Sequence, residues 1–242
     1  MVEIWHLKDI DWLKGLPRNV LEKLTARAEL NDYAPGAVIF TPSPDPDDVF
    51  VLVSGLVRIY RTSPRGEEVT FGYIHSGEAF GELAAFSDGP RESFAAAVEP
   101  SQVMRVPRDD FVMAIQTRSS VVFSIARQIE GRFKQIESRV EDLAFRSVIS
   151  RVAHMLLQLA AEFGDGAEVP TIGLRLTHAD LAMLIGASRP TVSLALGELE
   201  DIGVVGRANS LFVLTDRERL GEIALGNGSG AASAAGSTSD AS

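Results

Sequence analysis

Residues 176–203, LTHADLAMLIGASRPTVSLALGELEDIG, decide how this chain is read. Thr177 stands three residues before Asp180 and just ahead of an apolar run. In that [ST]-x-x-[DE] pattern two side chains satisfy each other's backbone N–H groups at a helix start. Leu181, Leu184 and Ile185 recur at helical spacing and give the helix a buried face. Gly186 follows where the chain must leave the helix through positive φ. Ser188 is placed to accept from a free N–H of a second helix, and Pro190 falls in that helix's first turn, where a missing N–H costs little. Ala182, Gly186 four residues on and Val192 six further supply a small residue, a turn glycine and a β-branched filler, the set two closely crossing helices need. The stretch reads as a helix-turn-helix that offers the Ser188-Arg189 start of its second helix to DNA. A helical hairpin with no such role is the plainer alternative.

Downstream, 204–214 (VVGRANSLFVL) reads as a two-stranded hairpin, a wing after the second helix, and from Gly226 the small polar run GNGSGAASAAGSTSDAS reads as disordered. Upstream, 146–161 forms an amphipathic helix, and Gly164-Asp165-Gly166 opens a loop. Before it a long helix is predicted from about Ser119 to Leu143. Val122, Ile129, Ile136 and Leu143 recur every seven residues, with Ile125, Phe133 and Val140 beside them. That is a seam for one long partner helix, most economically the same helix of a second subunit, with packing on the preceding domain as the alternative. Arg127, Glu130, Arg132, Lys134, Glu137, Arg139, Glu141 and Asp142 fit a solvated remainder.

From Glu29 to about Pro107 the hydrophobic period is two, in short segments near 37–40, 49–53, 56–62, 67–74, 94–98 and 102–106, which predicts a small barrel or roll. Ser63-Pro64-Arg65-Gly66 is a hairpin turn and 41–48 (TPSPDPDD) a polar loop. Residues 7–30 read as short helices with Ile10, Leu13, Leu16, Val20, Leu21 and Leu24 on the apolar side, and 107–116 as another helix.

At 242 residues there is room for two ordinary domains. The absence of cysteine excludes disulfides, thiolate-held zinc, cysteine-ligated iron–sulfur clusters and a cysteine nucleophile. His6, His75, His154 and His178 are scattered with no HxxxH or HxH pair, so no metal site is expected. A cupin-like metal enzyme fused to a DNA-binding domain would need clustered ligands in its strands, and the roll holds His75 alone, so no catalytic residue is assigned. His75 as a haem ligand stands against an ordinary half-exposed histidine. No apolar run approaches the roughly 20 residues of a membrane helix, and acids stand where a signal peptide would be basic, so a cytoplasmic protein with no membrane partner is expected. A net charge of −10 opposes a nucleic-acid partner until its distribution is considered. From Arg175 to Gly197 the only acid is Asp180, alongside Arg175, His178 and Arg189, while Glu198, Glu200 and Asp201 gather at the far end of the second helix. Modest, strongly salt-dependent DNA affinity, helped by dimerisation, is expected.

A β-roll, a long helix and a winged helix-turn-helix, in this order over roughly residues 10–222, resemble the Crp–Fnr superfamily of bacterial transcription regulators. Phe80-Gly81-Glu82-Leu83 with Arg91 downstream, Asp142-Leu143-Ala144-Phe145, and Gly186-Ala187-Ser188-Arg189-Pro190-Thr191-Val192 carry the resemblance. It implies an α+β chain: a cyclic-nucleotide-binding-type sensor roll over 1–118, a dimerisation helix over 119–145, a winged helix-turn-helix over 146–222 and a disordered tail over 223–242. The seam Val122, Ile125, Ile129, Phe133, Ile136, Val140 and Leu143 would join a homodimer on a near-palindromic double-stranded DNA site. RNA polymerase is a further partner by the same resemblance, through the loop near 163–170.

In the DNA-contacting set that this implies, Arg189 reads guanine, and Thr177, Ser188 and Thr191 contact phosphates. His178 stands where relatives often carry arginine. Pro190 and Leu194 replace polar base readers, so the preferred sequence should differ, and Ser193 completes the set. For the sensor, Gly81, Glu82 and Arg91 match residues that meet the ribose and phosphate of a cyclic nucleotide. Glu92 stands where a small hydroxyl residue is implied, with Ser93 one residue on, and the adenine-holding hydroxyls of the long helix correspond to Ile136 and Glu137. A carboxylate beside a cyclic phosphate repels it, and a buried base edge without partners costs about 1–3 kcal/mol per group. The expectation is therefore a regulator not controlled by cyclic AMP and with no cofactor, its roll answering to another ligand or to none. A cyclic-nucleotide-gated regulator is the alternative, and Arg91 pairing with Glu82 or Glu92 is the purely structural one.

Overall fold

The computed structural model describes residues 10–87, 89–167 and 169–226. His6 and the tail from residue 227 lie outside them. The chain divides into two compact units, one ending at Ile136 and the other beginning at Glu137.

In the first unit, short helices α1 (Asp11–Lys14) and α2 (Arg18–Arg27) precede strands β1 (Glu29–Tyr33), β2 (Val38–Phe40), β3 (Asp48–Ser54), β4 (Val57–Thr62), β5 (Glu68–Ile74) and β6 (Ala79–Phe80). A one-turn helix α3 (Leu83–Phe86), strands β7 (Phe94–Ala97) and β8 (Ser101–Pro107), helix α4 (Arg108–Thr117) and the long helix α5 (Ser119–Phe145) follow. Among the described residues of this unit the strands form two antiparallel sheets, ordered β1-β8-β3-β6 and β2-β7-β4-β5.

The strand pattern explains the layering. In β3, alternate residues point to opposite faces. Phe50 and Leu52 enter a core between the sheets with Phe40, Val57, Ile74, Phe80, Ala95 and Val103. Val49 and Val51 face a second core built with Trp12, Leu24, Met104, Phe111, Val121 and Ile125. A strand buried on both sides reads as an unbroken apolar run, as VFVLV does at 49–53. The turn at 63–66 closes β4 onto β5, with Gly66 N–H donating to the Ser63 carbonyl at 2.9 Å and Gly66 at φ +81°.

The second unit holds the last part of α5, then α6 (Val148–Phe163), α7 (His178–Ile185), α8 (Arg189–Asp201), the hairpin β9 (Val205–Ala208) and β10 (Leu211–Leu214), and α9 (Arg217–Ala224). Asn209 and Ser210, both at positive φ, make the two-residue turn of the hairpin, whose twist suits that loop length.

Several expectations are corrected. The period-two region does begin at Glu29, but β1 (Glu29–Tyr33) is absent from the expected segments, and β6 is too short for any periodicity to show. Ile223 and Ala224 are buried in α9, which Asp216 caps by accepting from Arg219 N–H at 2.9 Å, so order extends past the expected tail boundary at 223. Ile125 is sealed into the first unit's core at 1% exposure and is not free to join a seam. Asp142 is buried too, and Arg132 is half-buried, although both had been placed on a solvated face. Among the described residues no helix is long and apolar enough to cross a membrane.

Two glycines at positive φ separate backbone strain from steric exclusion. A Cβ on Gly55 (φ +97°) would lie 2.4 Å from Ser101 Oγ and 2.6 Å from the Pro100 carbonyl oxygen, whereas one on Gly36 (φ +82°) would meet nothing within 4 Å. Gly36→Ala should cost about 1–2 kcal/mol for the left-handed backbone alone. Gly55→Ala should cost on the order of 3–5 kcal/mol. Thermal unfolding of the full chain checks this, the expected result being a clearly larger fall in the first unit's transition for Gly55→Ala.

Candidate nucleic-acid interface and ligand pocket

The interface begins with two helix starts. Thr177 Oγ1 accepts from Asp180 N–H at 3.1 Å, while the Asp180 carboxylate accepts from Thr177 N–H at 2.7 Å, closing the capping box ahead of α7. Gly186 ends α7 in the left-handed conformation (φ 63°, ψ 46°), and Ala187 N–H reaches back to the Ala182 carbonyl at 3.1 Å. Ser188 Oγ accepts from Thr191 N–H at 3.3 Å to cap α8 and lies 2.7 Å from Thr191 Oγ1. Val192 is wholly buried and Ala182 nearly so, which lets the helices cross closely.

Arg151, on α6, was not singled out by sequence reasoning. Its Nη1 donates to the Ile185 carbonyl at 2.8 Å and satisfies the C-terminal end of α7. The arginine spacing of 146–161 showed amphipathicity, but its target lies 34 residues on. His178 Nδ1 lies 2.8 Å from Ser193 Oγ, tying the first turn of α7 to the second turn of α8. Ser193 is thereby engaged, and Thr177, Ser188 and Thr191 all work as cap groups. Arg189, Pro190 and Leu194 are exposed on α8. The free N–H groups and positive dipole end of α8 suit a phosphate. In the wing, the Arg207 guanidinium lies 3.9 Å over the Phe212 ring, which holds a cation beside the turn.

The pocket residues belong to the first unit as far as Ile136. Gly81 sits at φ +72°, and a Cβ there would meet Arg91 Nη2 at 3.2 Å and the Phe40 and Phe50 rings at 3.3 Å each. Glu82 is 1% exposed, and its Oε1 accepts from Arg132 Nη2 at 2.9 Å, while Oε2 has no protein partner. The Arg91 guanidinium lies 4.3 Å over Phe40 and 5.3 Å from Phe50, and its Nη2 donates to the Asp48 and Gly81 carbonyls. Arg91 therefore pairs with neither Glu82 nor Glu92. Those carboxylates are taken by Arg132 and Arg61. Ser93 is partly exposed, Ile136 is half-buried and Glu137 is exposed.

Burial pushes the Glu82 carboxyl above its ordinary range, with the Arg132 charge offsetting part of the rise. Burial among the phenylalanines likewise lowers Arg91. Arg91 thus lies in an aromatic cage, Glu92 is paired with Arg61, and the Ile136 side chain has no hydrogen-bonding group.

Along α5, Val122, Ala126, Ile129, Phe133, Ile136, Val140 and Leu143 step by fours and threes, and Phe133, Val140 and Leu143 are more than half exposed. Ala126, and not the buried Ile125, lies in this stripe.

Comparison with known proteins gives two domain matches. Residues 30–118 match the cyclic nucleotide-binding domain family, and residues 150–223 match the Crp-like helix-turn-helix domain. The chain is 30% identical over 213 residues to the CRP-like cAMP-activated global transcriptional regulator of Mycobacterium tuberculosis, covering 86% of this chain and 93% of the relative. It is 32% identical over 194 residues to the cyclic AMP receptor protein of Thermus thermophilus, covering 80% and 87%. Among solved structures, a CRP/FNR-family transcriptional regulator of Thermus thermophilus superposes with a TM-score of 0.68 at 26% identity, covering 81% of this chain and 98% of the other. The c-di-GMP responsive regulator CLP of Xanthomonas campestris shares the fold, with a TM-score of 0.71 at 22% identity over 83% and 100% of the two chains.

A carboxyl whose pKa is raised on folding adds stability that is full below its unfolded value of 4.5 and is lost as pH climbs through the folded value. The thermal midpoint of the wild type should therefore fall against that of Glu82→Gln as pH rises above 4.5. A difference that stays flat over that range would show that Arg132 fully compensates the burial.

Proposed function

We infer that this chain, which belongs to the Crp–Fnr family of DNA-binding transcription regulators, acts as a homodimer whose paired α8 helices enter successive major grooves of a near-palindromic site. The observation that carries this is the capped start of α8, held by Gly186 and Ser188, with Arg189 exposed at its tip. An arginine there is suited to bidentate bonding of guanine O6 and N7. The apolar stripe of α5 supports pairing with a second copy, whose approach would double a weak, salt-dependent grip. RNA polymerase is a partner by family analogy, and the place of work is the cytoplasm, where bacterial DNA lies.

The roll works as a sensor of something other than cyclic AMP, or as a former sensor. The support is the chemistry of Arg91, Glu92, Ile136 and Glu137 just described. The second reading, a cyclic-nucleotide switch, is favoured by the retained Gly81-Glu82 and Arg91 and by the cAMP-activated relative at 30% identity.

Selection of bound sequences from random DNA, with and without cyclic AMP, tests both. The same near-palindrome should emerge in either condition with a guanine in each half-site. Arg189→Ala should lose about 1–3 kcal/mol of preference for that guanine while keeping the fold. Enrichment only in the presence of cyclic AMP would establish the second reading. Phe133→Glu places a charge in the α5 stripe and should leave the chain monomeric in light scattering, with specific DNA binding weakened by more than tenfold.

A further inference from the structure

We propose that Leu194 is a base reader of α8 and that it selects a thymine by its C5-methyl group, within a few base pairs of the guanine met by Arg189. The inference rests on the DNA-reading role of α8 and adds to it the identity of a second base. Leu194 is 72% exposed although it is a large apolar side chain on an ordered helix. It shares a face with Pro190 at i and i+4, and it stands about 7.5 Å along the axis from Arg189. The nearest side-chain hydroxyls already have partners within the protein. Ser193 Oγ is held by His178, and Thr191 Oγ1 lies against the capping Ser188. Pro190 has no N–H and Gly197 has no side chain.

Between Arg189 and the acidic end of α8, the exposed side chains of Pro190 and Leu194 thus form an apolar surface. In the major groove the one apolar mark on a base edge is the thymine methyl, and every other group there donates or accepts. An apolar side chain pressed on those polar edges strips their water and returns no hydrogen bond. Against a thymine it removes two apolar surfaces from water at once. Leu194 therefore favours thymine and penalises its alternatives without making a polar contact.

The test uses the full chain and the duplex recovered by selection. Each thymine of one half-site is replaced in turn by uracil, which keeps every pairing group and lacks only the methyl. Binding is followed by fluorescence anisotropy at fixed salt. One position should cost the wild type about three- to fivefold in affinity, the worth of one buried methyl group. Leu194→Ala should lose a similar factor on thymine DNA and show no uracil penalty at that position. The side chain is exposed, so this variant should keep its thermal midpoint. Pro190→Ala should retain the penalty. If specific binding persists but no uracil position distinguishes the wild type from Leu194→Ala, the proposal is wrong while the DNA-reading role of α8 stands. If Pro190→Ala alone abolishes the penalty, the methyl is read by proline and the assignment to Leu194 fails. A chain that binds all duplexes alike would remove the underlying role itself.

Discussion

One helix has to satisfy several neighbours at once, and within each unit the packing of its share of α5 depends on how it does so. At its start Val121 and Ile125 are sealed into the core beside Trp12 and Phe111. Gln128 Oε1 then accepts from Ala79 N–H at 3.1 Å, and Arg132 meets Glu82 at 2.9 Å. Positions 121, 125, 128 and 132 form one face because a helix brings residues three and four apart together. The adjoining stripe, shifted by one residue, stays apolar and open. In the last turns Asp142 accepts from Arg146 Nε and lies against His154 Nδ1, at 2.7 Å each. A buried carboxylate stripped of its cation costs about 3–5 kcal/mol. Within the first unit the Arg132–Glu82 contact therefore fixes the rotation of α5, and within the second the buried Asp142 fixes its last turns against α6.

What was legible in the sequence follows from the range of each interaction. The helix-turn-helix was readable because its determinants are local: the Thr177–Asp180 box, the turn at Gly186 and the Ser188 cap each act within four residues. The roll was readable from period-two strands, and the wing from its place after α8. The failures share a cause. Arg132 looked like a solvated charge because its partner Glu82 lies 50 residues away, and Asp142 because, beside Arg146 four residues on, it is buried against His154 of the next helix. Ile125 entered the expected seam because it is more apolar than Ala126, although only position 126 keeps the four-and-three step. The order past residue 222 was missed because α9 buries just Leu220, Ile223 and Ala224 within a mostly polar stretch.

Gly81, Glu82 and Arg91 each have partners within the protein. Arg91 lies over Phe40 and Phe50 and donates to backbone carbonyls, so its guanidinium is held by the protein itself. Desolvation works on Glu82 in the same direction, favouring its neutral form except where Arg132 holds it ionised. A conserved-looking string of letters thus describes backbone geometry, a positive φ followed by a buried turn, as much as it describes a binding partner.

The distribution of charge along α8 has a geometric outcome. Its first turn carries Arg189 and the positive end of the helix dipole, while its last turns expose Glu198, Glu200 and Asp201 at the end where the dipole is negative. Of the three, Glu200 lies 3.7 Å from Arg207 at the start of the wing, so its charge is partly answered within the protein. Toward any polyanion the two ends of the helix therefore behave oppositely, the first turn drawing it in and the last turns turning it away.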